Sequence, residues 1–177
     1  MSTALDHLCL MARNNAYANE RLYEACCALS QAELEAERTN FFPSIRETLN
    51  HILEVDRYYL DALKEEGQGL ATYDRPHLKT AAELKTAQEK LDRELIQYCD
   101  DLSDADPGRR IAQDRGEDGR MEETVADTLL HLFQHQIHHR GQVHAMLAAT
   151  SVVPPQLDEF FLEFDRHPAA RRYRNAG

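Results

Sequence analysis

Four shortages in this chain exclude more than its abundances assert. Glycine and proline number only seven and six in 177 residues. They gather at a few points, and the long stretches between them read as helices. No long apolar run occurs, so no membrane-spanning helix is expected. Positive charge is in deficit: 20 Lys and Arg stand against 31 Asp and Glu, a formal charge of -11, with a pI near 5.2. That balance argues against nucleic acid, which needs clustered Lys and Arg, and against an anionic membrane surface. The acidity reads simply as a source of solubility. Cysteine is sparse too. Cys9, Cys26, Cys27 and Cys99 lack zinc-finger spacing, and the adjacent pair is a poor disulfide, so reduced, half-buried thiols on helices are expected. The first residues carry no basic segment followed by an apolar one, so no signal peptide is expected and the expected address is the cytoplasm. The length predicts one domain over residues 1–177, with a core large enough to fold unaided. No internal repeat or low-complexity segment stands out.

What is present is helix punctuation. Apolar spacing predicts a first helix over residues 3–29, and Ser30 with Glu33 forms a capping-box pattern able to start a short extra turn. Residues 38–43 read as a connection. Ser44 with Glu47 opens a helix to residue 66, ended by Gly67 and Gly69. Residues 70–79, with Pro76, read as loop. Thr80 with Glu83 opens a third helix to residue 102, closed by residues 103–107. Residues 109–122, with Gly116 and Gly119 among acidic residues, predict a small irregular hairpin or a mobile loop. A fourth long helix spans residues 123–149, and Pro154-Pro155 blocks its continuation. Residues 157–164 carry enough Phe and Leu to predict a short closing helix, and the basic, polar tail from His167 is expected to be loose. The whole reads as all-α: a four-helix bundle with a short C-terminal helix and a possible small hairpin between the third and fourth long helices, its topology left open.

The fourth long helix holds His131, His135, His138 and His139, four of nine histidines within nine residues. Positions four apart stack on one helix face, so His131, His135 and His139 form a stripe with His138 beside it. Converging imidazoles suit a metal ion far better than a plain core. Three-ligand sites leave a position for water or substrate. Spacing alone does not choose among His131 with His135, His135 with His139 and His135 with His138. Val125, Leu129, Leu132, Val143 and Leu147 form an apolar wall on the His139 side of His135. That wall puts His135 and His139 nearer the core and leaves His138 a supporting or surface role. The third ligand must come from a facing helix, and His51, flanked by Leu49, Ile52, Leu53 and Val55, is the natural candidate. A neutral imidazole there needs a hydrogen-bond partner or a metal. His7, His77, His144 and His167 read as solvated or near a helix end.

Three stretches, spread over nearly the whole length, carry a resemblance. Residues 15–22 (Asn15, Tyr17, Asn19, Arg21), residues 49–56 (Asn50, His51, Asp56) and residues 135–142 (His135 to Arg140-Gly141-Gln142) resemble motifs of the DinB family, the DinB/YfiT-like metalloenzymes. The resemblance implies a four-helix bundle with a metal held by one histidine from the second helix and two from the last. On this sequence those are His51, His135 and His139. It also implies a homodimer and a divalent transition metal, with zinc, nickel and iron all suited to three histidines. Its characterised members include thiol-dependent S-transferases and a mycothiol-dependent maleylpyruvate isomerase. Gln134 departs from the Asn that the family often has there.

Three functions follow as expectations. The first is a thiol-dependent S-transferase acting on small electrophiles, its low-molecular-weight thiol cosubstrate held on the metal as thiolate. Tyr58 and Tyr59 would either pack with their hydroxyls at the rim or donate to substrate. Arg140 and Gln142 would orient a ligand or hold helices together, and Gly141 would permit close helix approach. The second is a metal-dependent hydrolase, which needs a general base among Glu54, Asp56 and Glu20. The third is a non-enzymatic metal-binding protein with a closed coordination shell.

Overall fold

Each helix up to the last long one starts where a hydroxyl side chain can take a free backbone N–H. In the computed structural model, which describes residues 3–174, Thr3, Ser30 and Thr80 close reciprocal capping boxes with Asp6, Glu33 and Glu83. Ser44 and Thr124 accept the amides of Glu47 and Asp127. Each such cap contributes about 1 kcal/mol. The helices they open are α1 (Ala4–Cys27), α2 (Gln31–Glu35), α3 (Ile45–Lys64), α4 (Ala81–Asp100) and α5 (Val125–Leu147). All four long helices lie within two or three residues of their expected limits. Between α4 and α5 the expected hairpin is present: β1 (Arg110–Asp114) pairs antiparallel with β2 (Arg120–Thr124), in the register Arg110 opposite Thr124 to Asp114 opposite Arg120.

The long helices form a bundle in which α1 packs on α4 and α5, and α3 packs on the same two. The successive long helices α1 and α3 therefore sit across a diagonal, and residues 28–44 cross one end of the bundle to join them. At that end Leu22, Cys26, Leu34, Ile45, Leu49, Leu53, Leu84, Val143 and Leu147 form one apolar cluster. At the other, Leu8, Leu60, Leu63, Leu95, Ile111, Val125, Leu129 and Leu132 form a second. Ile111 belongs to β1, so the hairpin helps close the second core. Asp61 ties down the chain after α3, its carboxylate accepting the N–H groups of Gln68 at 3.0 Å and Gly69 at 2.8 Å. Gly69 has φ +54°, and a side chain there would run into Asp114 of the hairpin.

A polar layer separates the two apolar ends. Asn15 and Asn19 of α1, Asp56 of α3, Gln88 and Asp92 of α4, and Gln136 and Arg140 of α5 are all buried. Arg140 Nη1 donates to the side-chain carbonyls of Asn15, Asn19 (3.0 Å) and Gln136 (3.2 Å). The NH₂ groups of the same three amides donate onward to carboxylates. Asn15 and Asn19 reach Asp92 at 3.3 and 2.9 Å, and Gln136 reaches Asp56. Gln88 Nε2 bridges the two acids, 2.7 Å from Asp56 and 3.2 Å from Asp92. Every amide thus has its carbonyl or its NH₂ fixed by charge, which sets the register of all four long helices. Burial outweighs this support for the acids: it pushes Asp56 up to about 7 and Asp92 up to about 6. Burial likewise lowers Arg140 to about 10.

The C-terminal segment differs from expectation. Residues 157–164 form no helix. Of their aromatic residues only Phe160 is buried, its ring 5.6 Å from that of Tyr17, while Phe164 is fully exposed. Backbone acceptors there go to other donors: Arg166 binds the carbonyls of Phe160 and Phe161, and the His167 amide binds that of Glu159. The closing helix is instead α6 (Ala170–Arg174), five residues long. The tail is not loose up to that point, because Ala170 is buried and Arg172 and Tyr173 both bind Glu20 of α1. Residues 175–177 of that expected loose tail lie outside the described residues. Gly141 also departs from expectation. A Cβ at that position would meet nothing within 4 Å, so close helix approach is not what it serves. Among the described residues no helix is long and apolar enough to cross a membrane.

Candidate metal centre

His51 sits midway along α3, with Leu49, Ile52 and Leu53 completely buried around it. On α5, Leu132 and Val143 bury the adjoining face and turn His135 and His139 toward α3. The three rings meet. Nε2 of His51 lies 3.0 Å from Nε2 of His135. Ring centroids are 4.6 Å apart for His51 and His139, and 4.4 Å for His135 and His139. One ligand nitrogen from each lies within 4.8 Å of the others, a group that could hold a metal ion. Tetrahedral zinc with nitrogen ligands at about 2.0–2.1 Å separates those nitrogens by about 3.3 Å, so the His51–His135 spacing is close to that of a ligand pair.

The surroundings favour lone pairs over protons. Burial first, and His139 second, lower His51 to about 4. Burial and the neighbouring imidazoles lower His135 to about 3, and burial lowers His139 as well. All three are therefore neutral at pH 7, the form a metal requires. Gln142 fixes one tautomer: its Oε1 lies 2.8 Å from His139 Nδ1, which must donate, leaving Nε2 as the acceptor. The Gln142 NH₂ in turn donates to His138 Nε2 at 3.1 Å. His138 itself is exposed and packs edge-on against His139, 4.8 Å between centroids. On the His135 ring, Nδ1 is buried with no hydrogen-bond partner. A ring without a protein partner on its buried nitrogen, facing another imidazole nitrogen at 3.0 Å, fits an ion-binding role better than a structural one.

The structure thus brings together the sequence-level trio and separates the others. His131 is exposed, 6.5 Å from His135 between centroids, and stands edge-on to Tyr59 at 5.1 Å. His77 pairs with Glu54 at 2.9 Å, His144 donates to the Pro155 carbonyl at 3.0 Å, and His7 is exposed. His167 lies near a helix end, just before α6, where its Nδ1 takes the Ala169 amide at 3.1 Å, and its Nε2 lies 2.7 Å from Arg21 Nη1 because the tail folds back on α1. Tyr58 donates to the Asp114 carbonyl and so holds the hairpin. Arg140 takes the role of holding helices together, and Gln142 fixes the orientation of the His139 ring. Sequence reasoning missed Phe42, whose ring lies 4.4 Å from His51 and 5.8 Å from His139. Its position in a connection, two residues before a helix cap, gives no periodic signal.

Possible bases are occupied elsewhere. Glu54 serves His77, Glu20 serves Arg172 and Tyr173, and Asp56 belongs to the polar layer. The four cysteines are free thiols, and burial raises each of them, Cys26 to about 12.

Fold and site together define a helical bundle with an inward histidine trio contributed by two facing helices. The DinB family model matches residues 1–171, and the chain belongs to that family. Protein DinB of Bacillus subtilis (strain 168) is 24% identical over 139 residues, covering 75% of this chain and 80% of that protein. The crystal structure of a DinB-like protein from Bacillus cereus ATCC 10987 superposes with a TM-score of 0.61 at 19% identity, over 79% of this chain and 90% of that one. A second DinB-like protein, from Bacillus subtilis, gives a TM-score of 0.58 at 15% identity, over 78% and 90%. At such identities the two structures speak for the fold.

Proposed function

We propose that His51, His135 and His139 hold a divalent transition metal and that the protein is a metal-dependent transferase joining a low-molecular-weight thiol to a small electrophile. The observation that carries the metal reading is the convergence of three imidazoles, one with its tautomer fixed by Gln142. Bound there, a metal would supply charge that keeps a thiol ionised at neutral pH. The protein's own part is to hold the ligand lone pairs in place. Gln142 orients His139, and the polar layer fixes α5 against α1 and α3 through Gln136 and Arg140, which adjoin the two α5 ligands. Phe42 and Tyr59 give the surroundings aromatic faces.

Two observations favour thiol transfer over hydrolysis. Glu54, Glu20 and Asp56 each have other partners, which leaves water without a base among them. The protein's thiols are all held protonated, so a nucleophilic sulfur must come from a cosubstrate. Zinc, nickel and iron all suit the donor set. A homodimer is part of this reading and rests on family resemblance; sedimentation equilibrium measures it.

The test is elemental analysis of purified protein beside a His135→Ala variant, followed by a thiol–electrophile screen of the metal-loaded chain. Near-stoichiometric metal in the wild type and little in the variant is expected. Equal metal in both would refute the site. Metal binding without turnover of any thiol–electrophile pair would leave a non-enzymatic metal-binding protein as the better reading.

A further inference from the structure

We propose that the space between the hairpin and α5 is a subsite for the carboxylate of a small substrate, recognised by Arg115. This rests on the metal reading above and adds to it what the substrate must carry. Arg115 follows directly after β1. Its guanidinium carbon lies 5.8 Å from the ring centre of Tyr58 and 5.9 Å from that of Tyr59. One of its nitrogens donates to Gln113, whose own NH₂ is held by Thr128 of α5 at 2.8 Å. Tyr58 holds the same turn through the Asp114 carbonyl. The guanidinium is thus stacked and buttressed from the hairpin side.

Beside it is a cavity of about 260 Å³, walled by Tyr59, Gln113, Arg115, Thr128 and His131. Tyr59 and His131 are in edge contact, and His131 is one helical turn from His135. The Tyr59, His131 and His135 rings thus follow one another, 5.1 and 6.5 Å apart, along α3 and α5, so a small molecule lying along them would have one end at the proposed metal and the other at Arg115.

Charge supports the assignment. In a chain with 31 acids and 20 bases, five of the sixteen arginines are held by acids: Arg13 by Asp100, Arg46 by Glu35, Arg109 by Glu65, Arg110 by Glu122 and Arg172 by Glu20. Among the described residues Arg115 makes no ion pair within 4.0 Å. With bonds to Gln113 and the Tyr59 hydroxyl, the guanidinium still has N–H donors to spare, over aromatic rings, and a planar fork of that kind is suited to a planar carboxylate. Glu123 and Asp127 also line the cavity. Their charges oppose an anion and weigh doubly against a dianion, which favours a carboxylate over a phosphate.

The test uses the full chain loaded with cobalt(II) and a series of ω-mercaptocarboxylates, each compared with its ω-mercaptoamide. Thiolate coordination is read from the sulfur-to-cobalt charge-transfer band. For the chain length that spans the gap, the carboxylate should bind about tenfold more tightly than the amide. Arg115→Met should abolish that preference, Arg115→Lys should retain part of it, and Glu123→Gln should increase it. An alkanethiol with no polar end, which gives Arg115 nothing to bind, should coordinate equally in all three variants, which shows that they fold and hold the metal. Equal affinity of acid and amide at every length, or an undiminished preference in Arg115→Met, would overturn the subsite while leaving the metal site standing. No charge-transfer band with any thiol would refute the metal–thiol reading itself, and the subsite with it.

Discussion

Replacing Arg140 with Met should destabilise the protein by several kcal/mol without touching a proposed metal ligand. Arg140 is 5% exposed, and its Nη1 is shared by three side-chain carbonyls. Those amides pass its charge toward Asp56 and Asp92, which are 2% and 5% exposed. Met fills similar volume but leaves two buried carboxylates with no cation among them. Removing one partner of such a buried arrangement costs about 3–5 kcal/mol. For a chain of this length each kcal/mol lowers the melting temperature by about 2–4 °C, so a fall of roughly 6–20 °C is expected.

The penalty should depend on pH with a defined sign. Asp56 and Asp92 have folded values raised from 3.8 to about 7 and about 6. A raised carboxyl contributes its stability below its unfolded value and loses it as pH rises through the folded one. The Arg140→Met penalty should therefore be larger at pH 8, where both acids are charged, than at pH 5. Urea midpoints at the two pH values measure it. Adding Asp56→Asn and Asp92→Asn to the variant should recover much of the loss at pH 8. A penalty below about 1 kcal/mol at pH 8, or one that grows on acidification, would refute the account of the layer as charge held by amides.

Other outcomes follow from the site and the tail. Gln142→Ala should weaken zinc binding by about 10–100-fold, since it frees the His139 ring without removing a ligand; competition with a chromophoric chelator measures this. In chelator-treated protein the lowered values of His51 and His135 mean that the unfolded chain takes up protons first. Their contribution is present above about pH 6.5 and is lost as pH falls through the folded values of about 4 and about 3. The two buried acids act in the opposite direction over part of that range, so the reading is the difference in urea midpoint between wild type and His51→Ala, which should shift in the variant's favour from pH 6.5 to 4. Phe160→Ala should cost about 3–5 kcal/mol, because Phe160 is completely buried against Tyr17 and is the anchor of an otherwise irregular segment. Thermal melts would show this.

Legibility from sequence followed the locality of the signal. Hydroxyl caps, apolar spacing and the stops at Gly67, Gly69 and Pro154-Pro155 are local, and they set the ends of α1, α3, α4 and α5 to within a few residues. The histidine stripe was local as well, and its partner His51 could be recognised because Leu49, Ile52 and Leu53 surround it on an apolar helix. The polar layer was not legible. Asn15, Asn19, Gln88 and Gln136 each look like ordinary helix-surface residues, and only the bundle brings their amides to one level. The segment at residues 157–164 misled for a related reason. Its composition suits a helix, but Arg166 and His167, further along the chain, take backbone carbonyls that a helix would use. Arg115 likewise acquires meaning only when the hairpin folds onto α3 and α5.

The layer and the histidine trio share one stretch of α5, and with a metal at the proposed site that arrangement would couple folding to metal binding. His135 and His139 alternate with Gln136 and Arg140, so one rotation of the helix aims two residues at α3's imidazole and the next two at the buried acids. A slip of a single residue would put Gln136 and Arg140 beside the His51 imidazole in one direction, and His135 and His139 among the carboxylates in the other. The layer therefore holds the three histidines in register, and an ion that bound only the folded chain would add stability in proportion to the logarithm of its concentration over Kd. The coupling runs both ways. Arg140→Met, which removes none of the three histidines, should weaken metal binding, and saturating metal should return part of the stability that the substitution removes. If Arg140→Met lowered the melting temperature by the same amount with and without saturating zinc, and bound zinc as tightly as the wild type, the register argument would fail even though both sites existed.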